Sequence, residues 1–363
     1  MSENLSTKVK LYTNRSYLAN DTASIPMLYP FWGSSSEDKR LPESGRYDHY
    51  EATGKQYFEL TSLQDADIAV APAAWESSSE NKRLTEKLVE TARQAGKKTA
   101  IFFWSDSAEA VPLDDIILFR TSFYKSQCKF YEFAQPSWSE DFVEKYFDDA
   151  LPILEKTERP IVGFCGFAFL PNAQRQFSSA LLNTAKKILK GASSDNQVGA
   201  RLRGKALQAL SSHKEIQTNF IIRNQFLGGA FLPNGSIDIQ RMQEVRREYV
   251  QNIRESQYVL CVRGAGNFSY RLYETLCCGR IPIFIDTDCP LPYDFAVDWK
   301  QYCVWVNETD THAIAEKLLD FHRKISPQDF VDLQRECRNF WKAWLSPEGF
   351  FEHFHLHLQR LSS

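Results

Sequence analysis

The 363-residue chain contains no apolar run long enough to span a bilayer, and its opening residues, MSENLSTKVKLYTNRSYL, lack the apolar core of a secretory signal. A membrane-spanning or exported protein is therefore not expected, and the cytoplasm is the expected compartment. A surplus of either charge is also missing: the formal net charge is −3 with 25% charged residues. Nucleic-acid binders concentrate basic residues on one face, so no nucleic-acid partner is expected. The eight cysteines are scattered through apolar runs rather than spaced as pairs. That pattern argues against a disulfide framework and for buried, reduced thiols. Internal repeats are absent as well: AFLPN recurs at 168–172 and 230–234, but its flanks do not match.

What is present is a large share of apolar residues, 43%, and of aromatics, 13%. The length exceeds one ordinary core and suits two domains of roughly 150 to 200 residues each. Along the first half, KVKLYTN (8–14), ADIAVAPAAW (66–75), KTAIFFWSD (98–106) and DDIILFRTS (114–122) read as buried strands. SENKRLTEKLVETARQAGK (79–97) between them reads as an amphipathic helix, and SEDFVEKYFDDALPILEK (139–156) as another. A seam follows at TERP, and a second series opens with the strand PIVGFCG (160–166) and the helix NAQRQFSSALLNTAKKILKGA (172–192). TNFIIRN (218–224) is a further strand, FLGGAFLPNGSID (226–238) a glycine- and proline-rich mobile loop, and the C-terminal third is helical. Apolar strands separated by helices predict mostly parallel sheets covered on both faces. The expected fold is α/β, with two Rossmann-like, doubly wound domains facing a cleft, at 1–157 and 158–335, and C-terminal helices at 336–363 packing back across it.

The most informative stretch is CVRGAGNFSYRLYETLCCGRIPIFIDTD (261–288), a strand that breaks at Gly264 and Gly266, becomes a helix and returns to a strand. GAGNFS fits G-x-G-x-x-S between a strand and a helix, and Asp286 ends the next strand where dinucleotide folds place a ribose-binding acid. Against a dinucleotide stand Ser269 in place of the third glycine, the late position in the chain, and the flanking Arg263, Arg271 and Glu274. The same flanks suit a nucleotide sugar. A helix starting near Asn267 or Ser269 aims free N–H groups at the turn, and Arg271 and Glu274 share one face within a turn of that end. Arginine forks onto phosphate oxygens, and a carboxylate accepts both ribose hydroxyls. A plain surface ion pair between the two has the same spacing.

The run YVLCVRGAGNFSYRLYETLCCGRIPIFIDTDCPLPYD, followed by DWKQYCVWVNETD, resembles the donor-binding core of the exostosin-type glycosyltransferases. Ser269, Arg271, Glu274, Gly279, Pro282, Pro292, Trp299 and Val304 occupy positions of that family's pattern, over about 60 residues from Glu248 to Asp310. DADIAVAPAAW, RPIVGFCG and RLRGKALQAL are weaker echoes. Arg263 stands where many members carry a small residue, and CCGR departs from the usual wording except for its glycine. The resemblance implies a two-domain GT-B fold and a nucleotide-diphosphate sugar as substrate, with UDP the expected nucleotide. It also implies donor contacts from Ser269, Arg271 and Glu274; beside them the residues themselves point to Arg263, Gly264, Gly266 and Asn267 at the turn, with Gly166 and Arg203 near the same phosphates. The acceptor cannot be carried over.

Transfer with inversion needs a base on the acceptor side, and the C-terminal end of a parallel strand in the first domain faces the cleft. Asp106 fits best, Glu76 second, and the Asp48/His49 pair third. Arg201 is an alternative to Arg203. Asp286 and Asp288 form an Asp-x-Asp, which holds a divalent ion in other sugar transferases; behind a helix already offering Arg271 and Glu274 it reads as a turn and cap, and no metal or other cofactor is expected. His353 and His357 in HFHLH share a helix side but have no third ligand nearby, so a terminal amphipathic helix is expected over a zinc pair. The function expected is transfer of a sugar to a saccharide hydroxyl. An NAD-type oxidoreductase and a non-catalytic nucleotide-sugar- or saccharide-binding descendant stand as alternatives.

Overall fold

The computed structural model describes residues 8–34, 37–75, 77–170, 194–223, 225–232 and 234–362. The helix expected at 172–192 lies outside them, as does Glu76. In the first half, β1 (Val9–Tyr12), β2 (Phe58–Leu60), β3 (Ile68–Val70), β4 (Thr99–Phe103), β5 (Ile116–Arg120) and β6 (Glu132–Ala134) form one sheet in the order β2-β1-β3-β4-β5-β6. Helices α1 (Tyr29–Trp32), α2 (Asp48–Thr53) and α3 (Ser79–Gln94) connect them, and α4 (Phe142–Tyr146) leads away. In the second half, β7 (Ile161–Phe167), β8 (Gln217–Arg223), β9 (Tyr258–Cys261), β10 (Ile281–Asp286) and β11 (Val304–Asn307) form a sheet in the order β11-β10-β9-β7-β8. Its helices are α5 (Ser194–Ser211), α6 (Ile239–Arg254), α7 (Tyr270–Cys277), α8 (Ile314–Lys324) and α9 (Pro327–Phe340). The chain ends in α10 (Pro347–Glu352) and α11 (His355–Ser362). Every ladder pairing in both sheets is parallel. Two parallel sheets flanked by helices are thus the architecture.

The sequence accounts for these elements locally. β4, TAIFF, is apolar throughout and buried at all five positions, as a central strand covered on both faces must be. Ser78 caps α3 by accepting from the Asn81 amide, and Gly96 ends that helix with φ +70. The helix expected at 139–156 shrinks to α4. Asp148 and Asp149 take left-handed φ of 48 and 58, and the chain beyond them runs without regular structure to β7.

α4 also changes sides. Phe142, Val143 and Phe147 belong to the core beneath the second sheet, with Val162, Leu260 and Leu276. In return, Phe350, Phe351 and Phe354 of the C-terminal helices are buried among Phe58, Phe102 and Phe119 of the first sheet. Burying each such ring is worth about 1.5–3 kcal/mol, so the exchange ties the two halves together strongly. α3 covers the opposite face of the first sheet through Leu88, Val89 and Ala92. Among the described residues no helix is long and apolar enough to cross a membrane.

Candidate active site

In the second sheet the strand order reverses at β7, which has β8 on one side and β9 on the other. A crevice outside the carboxyl ends of strands at such a switch point is where α/β sheets bind ligands. β7 ends at Gly166 and Phe167, and β9 runs out into Val262, Arg263 and the glycine turn. The turn closes when the Gly264 amide donates to the Phe268 carbonyl at 3.0 Å. Ser269 then takes an extended N-cap conformation, with no side-chain cap bond, and α7 begins at Tyr270.

Two arginines, Arg203 and Arg271, meet at the ends of these strands, and a third, Arg263, lies at the start of the turn. Arg271 donates through Nη2 to the Cys165 carbonyl at 2.7 Å and lies over the Phe164 ring at 4.4 Å and the Tyr249 ring at 5.5 Å. Gly166 permits that approach, because a Cβ there would sit 2.8 Å from Arg271 Nη2. Arg203, from α5, donates to the Phe167 carbonyl at 3.2 Å and the Arg263 carbonyl at 2.7 Å. Burial, with the nearby Arg271 charge, lowers its pKa to about 9. Arg263 donates to the Ala265 carbonyl at 2.9 Å and, across the cleft, to the Tyr124 hydroxyl at 3.0 Å. The Nε of each of the three is buried without a hydrogen-bond partner in the protein. None of them pairs with a carboxylate among the described residues, although nine other arginines do. Gly264 stays close to Arg203, whose Nη2 lies 3.8 Å from where a Cβ would be. Guanidinium groups without a carboxylate ion pair, held on carbonyls and ring faces, have the chemistry to receive an anion.

Glu274 shares Tyr249 with Arg271 and is heavily engaged. It accepts from Ser139 Oγ at 2.7 Å, from Arg246 Nη1 at 3.1 Å and from the Tyr249 hydroxyl at 2.5 Å, with only 5% of the residue exposed. Arg246 in turn pairs with Glu140, which also accepts from Tyr146, and burial raises the Glu140 pKa. Sequence reading did not find Arg246, Tyr249, Ser139 or Glu140. Arg246 and Tyr249 had a weak signal in their i,i+3 spacing on α6; Ser139 and Glu140 had none, since the fold alone brings them across the seam.

The first half reaches the same turn. Asp106, three residues beyond β4 and exposed, accepts the Gly266 amide on Oδ1 at 3.1 Å. A Cβ on Gly266 would sit 2.7 Å from that oxygen, so the glycine is what lets the carboxylate in. Asn267 is fully engaged in holding the halves together: its amide donates to Ser122 Oγ, and its side chain donates to the carbonyls of Phe123 and Asp288 and accepts from Thr287. Asp286 caps the Cys289 amide at 3.1 Å, and Asp288 accepts the Ser126 amide at 3.1 Å and its hydroxyl at 2.5 Å. Those two carboxylates are spent on backbone and seam contacts. Asp48 and His49 sit exposed on α2, and Arg201 is exposed on α5. Among the described residues no group of three or more His, Cys, Asp or Glu side chains is arranged to hold a metal ion. His353 stacks on Trp344 at 3.9 Å, while His357 is buried among Phe119, Phe133 and Tyr293.

With this geometry in place, comparison with known proteins is direct. Residues 200–320, which hold Arg203, the glycine turn, Arg271 and Glu274, match the Exostosin GT47 domain. This segment is similar to that domain. The chain is 31% identical over 100 residues to the Exostosin-1 homolog of Caenorhabditis elegans, covering 28% of this chain and 25% of that protein. It is 25% identical over 113 residues to Exostosin-1 of Drosophila melanogaster, covering 31% and 14%. The chain thus spans at most a quarter of these relatives. A crystal structure of a glycosyltransferase from Rickettsia africae ESF-5 aligns with 91% of this chain and 84% of its own at 12% identity and a TM-score of 0.39. TarM aligns with 72% and 54% at 8% identity and a TM-score of 0.30. Both scores are too low for a shared fold to be read from them.

Proposed function

We propose that the protein is a glycosyltransferase of GT-B architecture. It moves a sugar from a nucleotide-diphosphate donor, UDP-sugar in our reading, to a saccharide hydroxyl with inversion and without an essential metal. The observation that carries this is the meeting of Arg203 and Arg271 at the end of β7, with Arg263 on the adjoining glycine turn, none of the three in a carboxylate ion pair among the described residues, inside the segment that matches the Exostosin GT47 domain. The domains at 1–157 and 158–335 carry acceptor and donor, with 336–363 packed back on the first.

In this reading the donor diphosphate lies on Arg271 and the N-terminal amides of α7, with Arg203 and Arg263 beside it. The bond from the sugar C1 to the diphosphate oxygen breaks through an oxocarbenium-like transition state. Negative charge grows on the leaving oxygens, and the arginines stabilise it where water is excluded. The acceptor oxygen forms its bond to C1 from the opposite face and gives its proton to Asp106. Glu274, braced by Arg246 and Tyr249, is the carboxylate for the ribose hydroxyls, and Ser139 is the donor a ribose hydroxyl would replace.

Thermal shifts with UDP, GDP, CMP, ADP and NAD, with and without manganese, test the reading, because a ligand of the native state raises its melting temperature. A metal-independent rise with UDP or GDP supports it. A rise with NAD alone overturns it in favour of an oxidoreductase, and binding of UDP-sugar without turnover in the presence of acceptors leaves a binding protein.

A further inference from the structure

Most of the aromatic side chains are in the cores, yet Phe268 and Tyr270 pack together beside Asp106, and Trp104 is exposed at the end of the strand that carries Asp106. Trp104, two residues before Asp106, is 39% exposed, and Tyr270, the first residue of α7, is 50% exposed. Phe268, half-buried, packs on Tyr270 with ring centroids 5.7 Å apart. Phe268 is also beside Asp106: a Cβ on Gly266 would lie 2.5 Å from Phe268 Cε1 and 2.7 Å from Asp106 Oδ1. Arg46 lies over the Tyr47 ring at 5.3 Å, and its charge and that of Asp106 both act on the Tyr270 phenol. Arg46 makes one long bond, to the Trp138 carbonyl at 3.4 Å, and its Nε is buried without a partner.

Exposed rings beside a carboxylate and an underused guanidinium make a surface that is apolar on its faces and polar at its edges. A pyranose ring has the matching character, with an axial C–H face and equatorial hydroxyls. We propose that Trp104, Phe268 and Tyr270, with Arg46 at the edge, form the acceptor subsite, where a sugar ring rests on the aromatic faces with its hydroxyl at Asp106. This rests on the transferase reading and deepens it by assigning side chains from both halves to acceptor recognition. A site shared between halves is complete only when they are apposed, so acceptor binding favours the closed arrangement.

The test uses the full chain and a probe mixture of cellotriose, chitotriose, xylotriose and trigalacturonate, observed by saturation-transfer NMR in the presence of UDP. The wild type should bind at least one of them. Removing one ring should weaken that binding about tenfold in Trp104→Ala and in Tyr270→Ala, as loss of an aromatic contact does. Tyr270→Phe, which keeps the ring, should retain it, and Arg46→Lys should weaken it less than Arg46→Ala. The UDP thermal shift should be unchanged in all of them. Unaltered saccharide binding in both alanine variants overturns the subsite, and so does a wild type that binds UDP but none of the four probes. Absence of a UDP shift in the wild type instead strikes the transferase reading itself.

Discussion

The two walls of the cleft are built in different ways. On the second-sheet wall, a continuous stretch from Arg263 to Glu274 supplies most of the side chains, and each is held by buried partners: carbonyls and ring faces for Arg271, three donors for Glu274. On the first-sheet wall, Asp106 stands exposed with a backbone amide as its partner, next to exposed Trp104. The first is preorganised, as the proposed binding of a donor nucleotide of fixed shape requires. The second is open and adaptable, as would suit the proposed acceptor side. Substitutions on the two walls should therefore fail differently, one in binding and stability, the other in turnover.

The largest effect should come from the open wall. Asp106→Asn removes the proposed base, and kcat should fall by roughly 10²–10⁴. UDP affinity should stay the same, and because the side chain is exposed the melting temperature should hardly move. If transfer rates with a competent acceptor survive, the base is elsewhere and the contrast between the walls collapses. The wired wall should answer in stability first. Glu274→Gln leaves Arg246 with Glu140 alone and the Tyr249 hydroxyl with a weaker acceptor, and breaking such a buried pair costs about 3 kcal/mol. A denaturant midpoint equal to that of the wild type would mean that the network is not what holds this wall.

Arg271→Ala separates charge from scaffold. A charge-assisted bond to phosphate is worth roughly 2–3 kcal/mol, so the UDP Kd measured by calorimetry should rise by about thirty- to 150-fold. Arg271→Lys should recover little of it, since an ammonium cannot reach the Cys165 carbonyl and a phosphate in the same plane. Full recovery by lysine would show that position 271 supplies charge only.

How much of this was legible in the sequence follows the same division. Strands such as β4 and β7 announce themselves by unbroken apolar runs, and the donor wall could be read because the glycine turn, Arg271 and Glu274 lie close together in the chain. The short edge strands β2 and β6, three residues each, carry no such run and were not anticipated. The helix expected through 156 failed at Asp148 and Asp149, where periodicity continues but the backbone turns left-handed. Ser139 and Glu140 reach Glu274 and Arg246 from more than a hundred residues away, and no local pattern marks them. The Asp-x-Asp at 286–288 was read as turn and cap, but not that Asp288 would cap a segment of the other half.

His357 tests the seat of the C-terminal helices on the first sheet. Its ring is fully buried among aromatic rings, its Nε2 has no partner, and burial pushes its pKa down to about 3. In the unfolded chain a histidine titrates near about 6.5. The unfolded state therefore takes up a proton first as pH falls. The stability contributed by neutral His357 is present above about 6.5 and is lost progressively as pH falls toward the folded value, by about 2 kcal/mol on reaching pH 5. His357→Phe should flatten this part of the pH–stability curve while leaving UDP affinity alone. A curve that keeps its slope would place the titrating group elsewhere.

The smallest effect should come from the seam that brings the walls together. Asp288 sits at a left-handed φ of 60 and accepts the amide and hydroxyl of Ser126, while its carbonyl accepts from Lys125 and Asn267. Ser126→Ala removes the hydroxyl and keeps the amide, so about 1 kcal/mol of stability should be lost. If the seam is only structural, the loss appears in the denaturant midpoint and nowhere else. If it also fixes how closely Asp106 approaches the glycine turn, kcat should fall while the UDP Kd holds, because the proposed donor contacts all lie on the second half. A change in UDP affinity instead would mean that the donor site is not independent of its facing wall, and the division drawn between the two would have to be given up.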